Sequence, residues 1–297
     1  MCRLYGFLAN EPTRVECSLI KAQNALLKQS GGDSEGLTHG HGWGVADYSD
    51  GVPFIEKQAW AAYHGEHFMK NAARIYAHAG IAHVRRATVG PAAIENTHPF
   101  AHGVWMFAHN GTVPNFDLIR VQMLENMDPL HRTEIKGVTD SEHVFRYLMT
   151  LWERDPARPL TETLRIGVED VVKWCHATNP TRAVGLNILW TDGKRMVGSK
   201  INRTLWYIER RGVVPCEICG QTHVHHSIGE EYMSVEVASE PITHERWREV
   251  PNGTVFTVDP DYRLNIHPLS SPVMDALKGV EAFDAPASSE AAWKGHT

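Results

Sequence analysis

The chain has 297 residues, a formal net charge of −6 at pH 7, a hydrophobic fraction of 42% and a charged fraction of 22%. These values are typical of a globular protein with a sizeable core, and the negative charge gives no reason to expect binding to a nucleic acid. No run approaches the roughly 18 apolar residues of a membrane span, and the amino terminus lacks the pattern of a secretory signal. Five cysteines, an odd and sparse count, favour reduced thiols in a cytoplasmic protein over a disulfide framework.

The first notable residue in chain order is Cys2, which directly follows the initiator methionine. Removal of Met1 would leave Cys2 with a thiol and a free α-amine on one carbon. Such an amine has a pKa of about 7.7–8.0, so about 10–20% of it is neutral at pH 7, close to what a general base needs. Nucleophile and base in one residue is the arrangement of an N-terminal-nucleophile hydrolase. The alternative is a chance cysteine beside a buried first strand.

Periodicity and turn residues predict an alternation of strand-rich and helical stretches. Strands are expected at 4–8, from 45, and at 79–85, 104–108, 183–191, 195–199, 204–209, 232–238 and 254–258. Helices are expected at 17–29, 68–77, from 116, from 141, and at 166–176. No repeat and no linker is evident, so residues 2–283 are expected to form one domain. The Ala/Ser/Pro-rich residues 284–297 are expected to be a disordered tail.

Two segments allow both a structural and a functional interpretation. The glycine- and histidine-rich residues 39–46 form either a tight turn that feeds a strand or part of a site. Arg85 and Arg86 end an apolar strand, where an unpaired charge beside a core is costly. They are either a surface pair, or one guanidinium binds a substrate carboxylate through two parallel hydrogen bonds.

Two further motifs leave a similar choice. Asn110-Gly111 after a strand is usually a turn, but an asparagine amide beside a glycine N–H also makes an adequate oxyanion hole. Removing one such donor from a hydrolase costs about 3–4 kcal/mol of transition-state stabilisation. Asp140 lies in a Thr-Asp-Ser-Glu sequence before a helical pattern, so its simplest role is to cap that helix.

A cysteine- and histidine-rich segment at 215–227 stands apart as a candidate insertion resembling a zinc knuckle. Cys216 and Cys219 have the Cys-x2-Cys-Gly spacing of a thiolate knuckle, and His223 is close enough to contribute a ring nitrogen. One knuckle is half of a tetrahedral site, so the alternative is an ordinary exposed loop. If zinc binds here, we expect it to be structural, with no cofactor needed for catalysis.

The ordered set of these motifs resembles the class II glutamine amidotransferase domain of the N-terminal-nucleophile hydrolase superfamily. The matching positions are Cys2 with Gly6, then 83–90, 96–100, 109–111 and 139–142. The resemblance extends over about residues 2–260, and the chain is most similar to the stand-alone branch with YafJ-like proteins and the γ-glutamyl hydrolases of ergothioneine and glutathione metabolism. It implies an α+β fold, the four-layer αββα sandwich of two antiparallel sheets between helical layers.

The resemblance also implies the catalytic roles. Cys2 would attack the γ-amide carbon and form a thioester, with its own α-amine relaying the proton to the leaving nitrogen. The side chain of Asn110 and the N–H of Gly111 would hold the oxyanion.

The same resemblance implies how the substrate is bound. Arg85 would bind the α-carboxylate of the glutamyl substrate and Asp140 its α-ammonium group, so that two opposite charges of the protein match the two charges of the substrate. Thr88 and His98 match positions that line the pocket. Arg86 departs from the family pattern, since many relatives carry an aromatic or other residue at this position, which bears on closure of the pocket.

These inferences predict a glutamine amidotransferase or γ-glutamyl amidohydrolase that acts on glutamine or a γ-glutamyl compound. An ammonia-accepting partner protein is expected if the released ammonia is used in a synthesis, and neither a nucleic acid nor a membrane is expected as a partner. The alternative is a catalytically inactive, zinc-stabilised binding or regulatory module on the same fold.

Overall fold

Thirteen strands and seven α-helices form the regular structure of the residues that a computed structural model describes, which are 2–225, 228–229 and 231–278. The strands are β1 (Arg3–Arg14), β2 (Trp43–Asp47), β3 (Phe54–Gln58), β4 (Tyr76–Val84), β5 (Phe100–His102), β6 (Trp105–Thr112), β7 (Gly185–Thr191), β8 (Met196–Lys200), β9 (Trp206–Arg211), β10 (Met233–Ala238), β11 (Arg248–Glu249), β12 (Thr254–Val258) and β13 (Leu264–Pro268). The α-helices are α1 (Leu26–Gly31), α2 (His67–Ala73), α3 (Phe116–Asn126), α4 (Pro129–Thr133), α5 (Asp140–Arg154), α6 (Leu160–Thr178) and α7 (Ser271–Ala276). The expected tail at 284–297 and residues 226–227 of the expected knuckle lie outside the described residues.

The strands form two antiparallel sheets. The order is β11-β9-β10-β1-β4-β2-β3 in the seven-stranded sheet and β13-β12-β8-β7-β6-β5 in the six-stranded sheet. β1 lies between β4 and β10, in registers that pair Arg3 with Val84 and Tyr5 with Ala238. The strand that begins next to Cys2 is therefore held on both edges, in agreement with its mostly apolar sequence.

The two sheets pack face to face. Leu4 and Ile81 of the seven-stranded sheet share a buried cluster with Met106 and Leu189 of the six-stranded sheet. A Cβ on Gly6 would lie 2.6 Å from Leu189 Cδ1, so the missing side chain lets Leu189 pack against β1 in its present position.

Helices cover both outer faces. Leu26 of α1 and Phe68 of α2 pack with Tyr5 and Phe7 outside the seven-stranded sheet. Residues of α3, α5 and α6 pack with Phe107 outside the six-stranded sheet. The predicted four-layer αββα sandwich is confirmed. Within the described residues, no helix is both long and apolar enough to cross a membrane.

The prediction of one helix over 17–29 is wrong. The structure has a π-helical turn at Cys17–Lys21 and a separate α1 that begins at Leu26. Between them, the Asn24 side chain donates to the Pro241 carbonyl (2.8 Å) and the Asn24 N–H donates to the Ile242 carbonyl (3.3 Å). Hydrogen bonds to a distant turn have replaced helical ones, which apolar spacing alone cannot show.

Candidate active site

The thiol of Cys2 lies at the amino-terminal end of β1, half-buried against the backbone that follows β4. The Arg86 N–H donates to Cys2 Sγ at 3.3 Å, and the thiol donates to the Arg86 carbonyl at 3.3 Å. Cys2 and the motif that carries Arg85 are thus in direct contact although 84 positions separate Cys2 from Arg86. This contact supports the interpretation of Cys2 as a site residue over that of a chance cysteine.

A buried ion-pair network fixes the backbone next to Cys2. The Arg3 guanidinium donates to the Cys2 carbonyl at 3.1 Å and forms ion pairs with Asp33 (2.6 Å) and Glu240 (2.7 Å). His39 Nε2 lies 2.9 Å from the same Asp33 carboxylate, and burial lowers the pKa of His39 to about 3 despite that carboxylate. A charge within a buried strand requires such partners, so Arg3 is the sequence signal that could have revealed this network.

Asn110 and Gly111 lie within β6 rather than in a turn after it, because β6 continues to Thr112. Asn110 is buried, and its Nδ2 donates to Ser239 Oγ at 3.2 Å. Ser239 Oγ also accepts the N–H of Leu4 at 3.0 Å, so one hydroxyl joins Asn110 to the strand that begins beside Cys2. Ser239 was not recognised as a site residue from the sequence.

Gly111 lies where β6 meets the start of β7. A Cβ at this position would lie 2.0 Å from the Gly185 carbonyl and 2.6 Å from His109 Nε2. No other residue fits there without moving backbone, so the close approach explains the glycine.

Asp140 does not cap α5. Thr139 does, since its Oγ1 accepts the N–H of Glu142 at 3.2 Å. The buried Asp140 carboxylate instead accepts the N–H groups of Val113 (2.8 Å) and Ser141 (2.9 Å). Asp140 therefore joins the start of α5 to the segment just after Gly111, and simple capping is ruled out as its role.

His109 of β6 also contacts the start of α5. Its Nε2 donates to the Gly185 carbonyl at 2.9 Å, which leaves Nδ1 to accept the hydroxyl of Ser141 at 2.8 Å. Burial lowers the pKa of His109, so it serves as a neutral ring. Since His109 precedes Asn110 and Ser141 follows Asp140, the His109–Ser141 hydrogen bond joins the segments of the two proposed site residues, and the bond to Gly185 fixes the ring against β7.

Arg85 is buried, and its guanidinium points into the loop that follows it. Nη2 donates to the carbonyls of Val89 (2.7 Å) and Gly90 (3.1 Å), and Nη1 donates to that of Pro91 (2.9 Å). Burial lowers the pKa of Arg85, whereas Cys2 and then Asp140 raise it. The thiol of Cys2 contacts the backbone of the next residue, Arg86, and the hydrogen bonds Thr112–Thr88 and Val113–Asp140 join the loop after Arg85 to the segment that Asp140 holds.

Thr88 and His98 differ in position. Thr88 is exposed, and its Oγ1 accepts the hydroxyl of Thr112 at 3.1 Å, which links the loop after Arg85 to the end of β6. His98 is only 2% exposed and packs on His83, with 4.1 Å between ring centroids. Thr88 borders the site, whereas His98 supports it from within the core.

The glycine- and histidine-rich segment adds a residue to the site. The His41 N–H donates to the Arg85 carbonyl (3.0 Å), and its Nδ1 accepts the N–H of Ala87 (3.0 Å). This segment therefore lies against the Arg85 motif and also leads into β2, where a Cβ on Gly44 would lie 2.1 Å from the His98 carbonyl. Both interpretations of residues 39–46 therefore hold in part.

Arg203 was not recognised from the sequence, and nothing in its local sequence marks it. Burial lowers the pKa of Arg203 to about 10, while Glu35 and Cys2 raise it. Arg203 is therefore a second cation whose field reaches the thiol of Cys2.

The predicted knuckle residues Cys216, Cys219 and His223 come together in space. A fourth residue, Cys17, joins them, and all four ligand atoms lie within 4.8 Å of one another. This group of three cysteines and one histidine could hold a metal ion. Cys17 was assigned to a helix in the sequence and not to this cluster, because 199 positions separate it from Cys216.

Comparisons with known proteins agree with this architecture. A model of the family of class-II glutamine amidotransferases matches residues 1–264. The chain is 27% identical over 308 residues to the probable glutamine amidotransferase DUG3 of Saccharomyces cerevisiae, covering 91% of this chain and 84% of that protein. It is 32% identical over 117 residues to the gamma-glutamyl-hercynylcysteine sulfoxide hydrolase of Mycobacterium tuberculosis, covering 38% of this chain and 50% of that protein. Its fold is similar to that of a glutamine aminotransferase class-II domain protein from Silicibacter pomeroyi, with a TM-score of 0.62, 19% identity, and 91% of this chain and 99% of that chain covered.

Proposed function

Because the chain belongs to the class-II glutamine amidotransferase family, we propose that it hydrolyses the γ-amide of glutamine or of a γ-glutamyl compound through a thioester on Cys2. The observation that carries the proposal is the cluster of Cys2, Arg85 and Asp140. Hydrogen bonds join the segments that carry these residues: Arg86 N–H to Cys2, Thr112 to Thr88, and Val113 N–H to Asp140. The segments supply a thiol, a cation and an anion, and the two charges are those needed to bind the amino acid end of a glutamyl group.

The first half-reaction uses Cys2 as both nucleophile and proton carrier. With Met1 removed, the α-amine of Cys2 takes the thiol proton, and Sγ attacks the γ-carbonyl carbon of the substrate. The new S–C bond forms, the oxygen becomes an oxyanion, and Asn110 Nδ2 and the Gly111 N–H stabilise that charge. Nδ2 has two hydrogens and gives one to Ser239, so the second is available. Collapse breaks the C–N bond, and the α-amine protonates the leaving nitrogen.

The second half-reaction hydrolyses the thioester. The neutral α-amine takes a proton from water, and the resulting hydroxide attacks the thioester carbon. The S–C bond breaks, glutamate leaves, and the proton returns to the thiol. No metal or organic cofactor is required for either step.

Arg85 and Asp140 would select for the free α-amino acid group. The guanidinium of Arg85 must exchange at least one contact with the loop carbonyls of Val89, Gly90 and Pro91 to bind a carboxylate. The similarity to a γ-glutamyl hydrolase favours substrates in which a larger amine replaces ammonia as the leaving group. If ammonia is the product, a partner protein could take it up.

The proposal is tested by treating the protein with 6-diazo-5-oxo-L-norleucine after amino-terminal sequencing has established that Met1 is absent. We expect one adduct on the peptide that begins with Cys2, together with release of glutamate from glutamine or from γ-glutamyl peptides. Cys2→Ala should abolish both, whereas Cys175→Ala, which removes a buried thiol of α6, should abolish neither. A processed protein that forms no adduct and releases no glutamate from either substrate would exclude the proposed reaction.

A further inference from the structure

We propose that Cys17, Cys216, Cys219 and His223 bind one zinc ion in a closed, structural site. The three sulfurs and the ring nitrogen lie within 4.8 Å of one another, although Cys17 belongs to the turn after β1 and the others to the segment between β9 and β10. Three thiolates and one imidazole are among the common donor sets of structural zinc. The site is independent of the proposed catalytic reaction.

The spacing of the ligand atoms suits a tetrahedral ion. Zinc binds sulfur at about 2.3 Å and nitrogen at about 2.0 Å, so tetrahedral angles put a sulfur and a nitrogen about 3.5 Å apart. Cys219 Sγ lies 3.4 Å from His223 Nε2. This pair already has the spacing of two ligands of one tetrahedral ion, and the other ligand atoms lie within 4.8 Å of it.

The backbone around Cys216 and Cys219 is shaped as a knuckle. The Gly220 N–H donates to the Cys216 carbonyl at 2.8 Å, and the Cys216 N–H donates to the Gln221 carbonyl at 2.9 Å. Gly220 has a φ of +70°, which closes this tight turn. The Ile218 N–H points at Cys216 Sγ at 3.4 Å, which is the type of contact that supports a metal-bound thiolate.

The segment between β9 and β10, which carries three of the four ligands, has little regular structure to hold it in place. Residues 212–232 contain no strand or helix in their described part. Val213, Val224 and Tyr232 form a small cluster with Ala9, and Ile218 packs partly buried against the cluster outside the seven-stranded sheet. Loops beyond about 12–15 residues without secondary structure are uncommon unless something orders them. The backbone carbonyl of His223 accepts the N–H of Arg14 at 2.9 Å, so the ligand already rests on the end of β1. Zinc would complete this attachment.

The charge around the site is balanced. Three thiolates and a zinc ion carry a net charge of −1. A cleft of about 580 Å³ beside Cys17, Cys219 and His223 is lined by Arg14, Glu16 and Lys21. Glu16 forms an ion pair with Lys21 (2.8 Å), so Arg14 is the cation of this lining that offsets the charge of the site. Nearby positive charge favours the thiolate form that metal binding requires.

A second group of potential ligands does not have this character. His102, His131 and Glu134 also lie close together. However, Glu134 forms an ion pair with Arg146, and Arg146 Nη1 lies 3.1 Å from His102 Nδ1, which places a cation where a metal would be. The sulfur-rich cluster is therefore the metal site, and the histidine group is an ion-pair network.

The location indicates a structural role. Cys2 precedes the first residue of β1 and Cys17 follows its last, so the two sites lie at opposite ends of a 12-residue strand. All four zinc positions are taken by protein side chains, which leaves none for a substrate or water. Zinc here would tie the 212–232 segment to β1 without taking part in catalysis.

The test is elemental analysis of the full chain, purified without chelator, together with reconstitution of the metal-free protein with Co²⁺. We expect about one zinc per chain and, with Co²⁺, the visible bands of a tetrahedral thiolate complex. Cys17→Ser should lower the sulfur-to-cobalt charge-transfer absorbance in proportion to the lost thiolate. The double variant Cys216→Ser/Cys219→Ser should bind no zinc, whereas Cys175→Ala should bind as much as the wild type.

The midpoint of thermal unfolding and the rate of Cys2 alkylation distinguish a structural zinc ion from a catalytic one. Chelation should lower the midpoint of thermal unfolding but leave the rate of Cys2 alkylation unchanged at a temperature where both forms are folded. Iron in place of zinc, a disulfide between any two of Cys17, Cys216 and Cys219 in freshly purified protein, or no thiolate bands with Co²⁺ would each overturn the proposal. The Co²⁺ spectrum is measured on the wild type, so it decides the question even if the double variant fails to fold.

Discussion

The amide and the carbonyl of Arg86 both face the thiol of Cys2, each at 3.3 Å. When the thiol loses its proton, the carbonyl contact becomes repulsive, but the N–H contact becomes a charge-assisted hydrogen bond. Such a bond to a charged group contributes about 1.5–3 kcal/mol. The backbone of residue 86 would thus help to form the thiolate, whatever side chain it carries.

Replacing Arg86 by proline should therefore lower the rate at which the Cys2 thiol is alkylated. Because proline has no backbone N–H, the hydrogen bond to the thiolate is lost, and we expect alkylation by iodoacetamide at pH 7 to slow about tenfold or more. Arg86→Ala is the matched control, because it keeps the backbone donor, and its rate should stay within about threefold of the wild type. Equal loss in both variants would show that the side chain, and not the N–H, matters.

Asn110→Ala should affect turnover more than binding. The oxyanion exists only after attack, so we expect kcat to fall about 10²–10³-fold while KM changes little. Steady-state glutamate release measures both parameters. Ser239→Ala removes the partner of Asn110 Nδ2 but leaves the amide in place, so its effect on kcat should be smaller. A rise in KM with an unchanged kcat for Asn110→Ala would contradict the assignment.

Asp140→Asn should lose recognition of the α-ammonium group. We expect kcat/KM for glutamine to fall about 10–100-fold, as for loss of a hydrogen bond to a charged group. Glutaramate, which is glutamine without the amino group, should be cleaved equally by wild type and variant. The amide of asparagine still has an oxygen for Val113 or Ser141, so this variant keeps most of the local structure. A parallel fall for both substrates would assign Asp140 a structural role alone.

Arg85→Lys distinguishes carboxylate binding from support of the loop. Lysine keeps the charge but not the two-pronged geometry, so we expect kcat/KM for glutamine to fall about 10–100-fold. The matched substrate is 4-aminobutanamide, which lacks the α-carboxylate and should show little change. If both substrates lose equally, Arg85 acts by holding the carbonyls of Val89, Gly90 and Pro91.

Stability should fall as the pH drops below about 6.5, the ordinary histidine pKa. Burial lowers the pKa of both His39 and His83 to about 3 and that of His98 well below its usual range. Between pH 6.5 and 5 the unfolded chain binds protons at these rings while the folded chain does not, so each ring lowers the free energy of unfolding by about 1.4 kcal/mol per pH unit.

Urea unfolding at pH 7.5, 6.5 and 5.5 measures this slope. His98→Gln should remove one ring's share, so the slope below pH 6.5 should decrease by about 1.4 kcal/mol per unit even if the variant is less stable at pH 7.5. His64→Gln is the matched surface variant, since that residue lies on the exposed turn after β3. An unchanged slope in His98→Gln would mean that His98 titrates in the folded protein.

Much of the secondary structure could be predicted from local pattern. The strand expected at 254–258 is present as Thr254–Val258, a run rich in β-branched and aromatic residues, and Asp192-Gly193 joins β7 to β8 in a turn with a φ of +86° at the glycine. These features depend on neighbours along the chain. The break in the helix predicted over 17–29 could not be foreseen, because Asn24 is held by Pro241 and Ile242, residues more than 200 positions away.

The residue types of the candidate site could also be identified from the sequence. The order of Cys2, Arg85, Asn110-Gly111 and Asp140 indicated the family, because each residue type meets a different need of amide hydrolysis. Charge, thiol chemistry and glycine's missing Cβ are properties of single residues. They do not depend on the path of the chain.

Only the tertiary structure decided what each residue contacts. It replaced the predicted capping role of Asp140 by a bridge to Val113, directed the guanidinium of Arg85 into its own loop, and added Cys17 to a knuckle that the sequence left half complete. Each of these depends on hydrogen bonds or proximity between segments far apart in the chain, which sheet packing creates and local periodicity does not encode. The sequence by itself determined which chemical groups are available for the proposed reaction, and the fold determined their geometry.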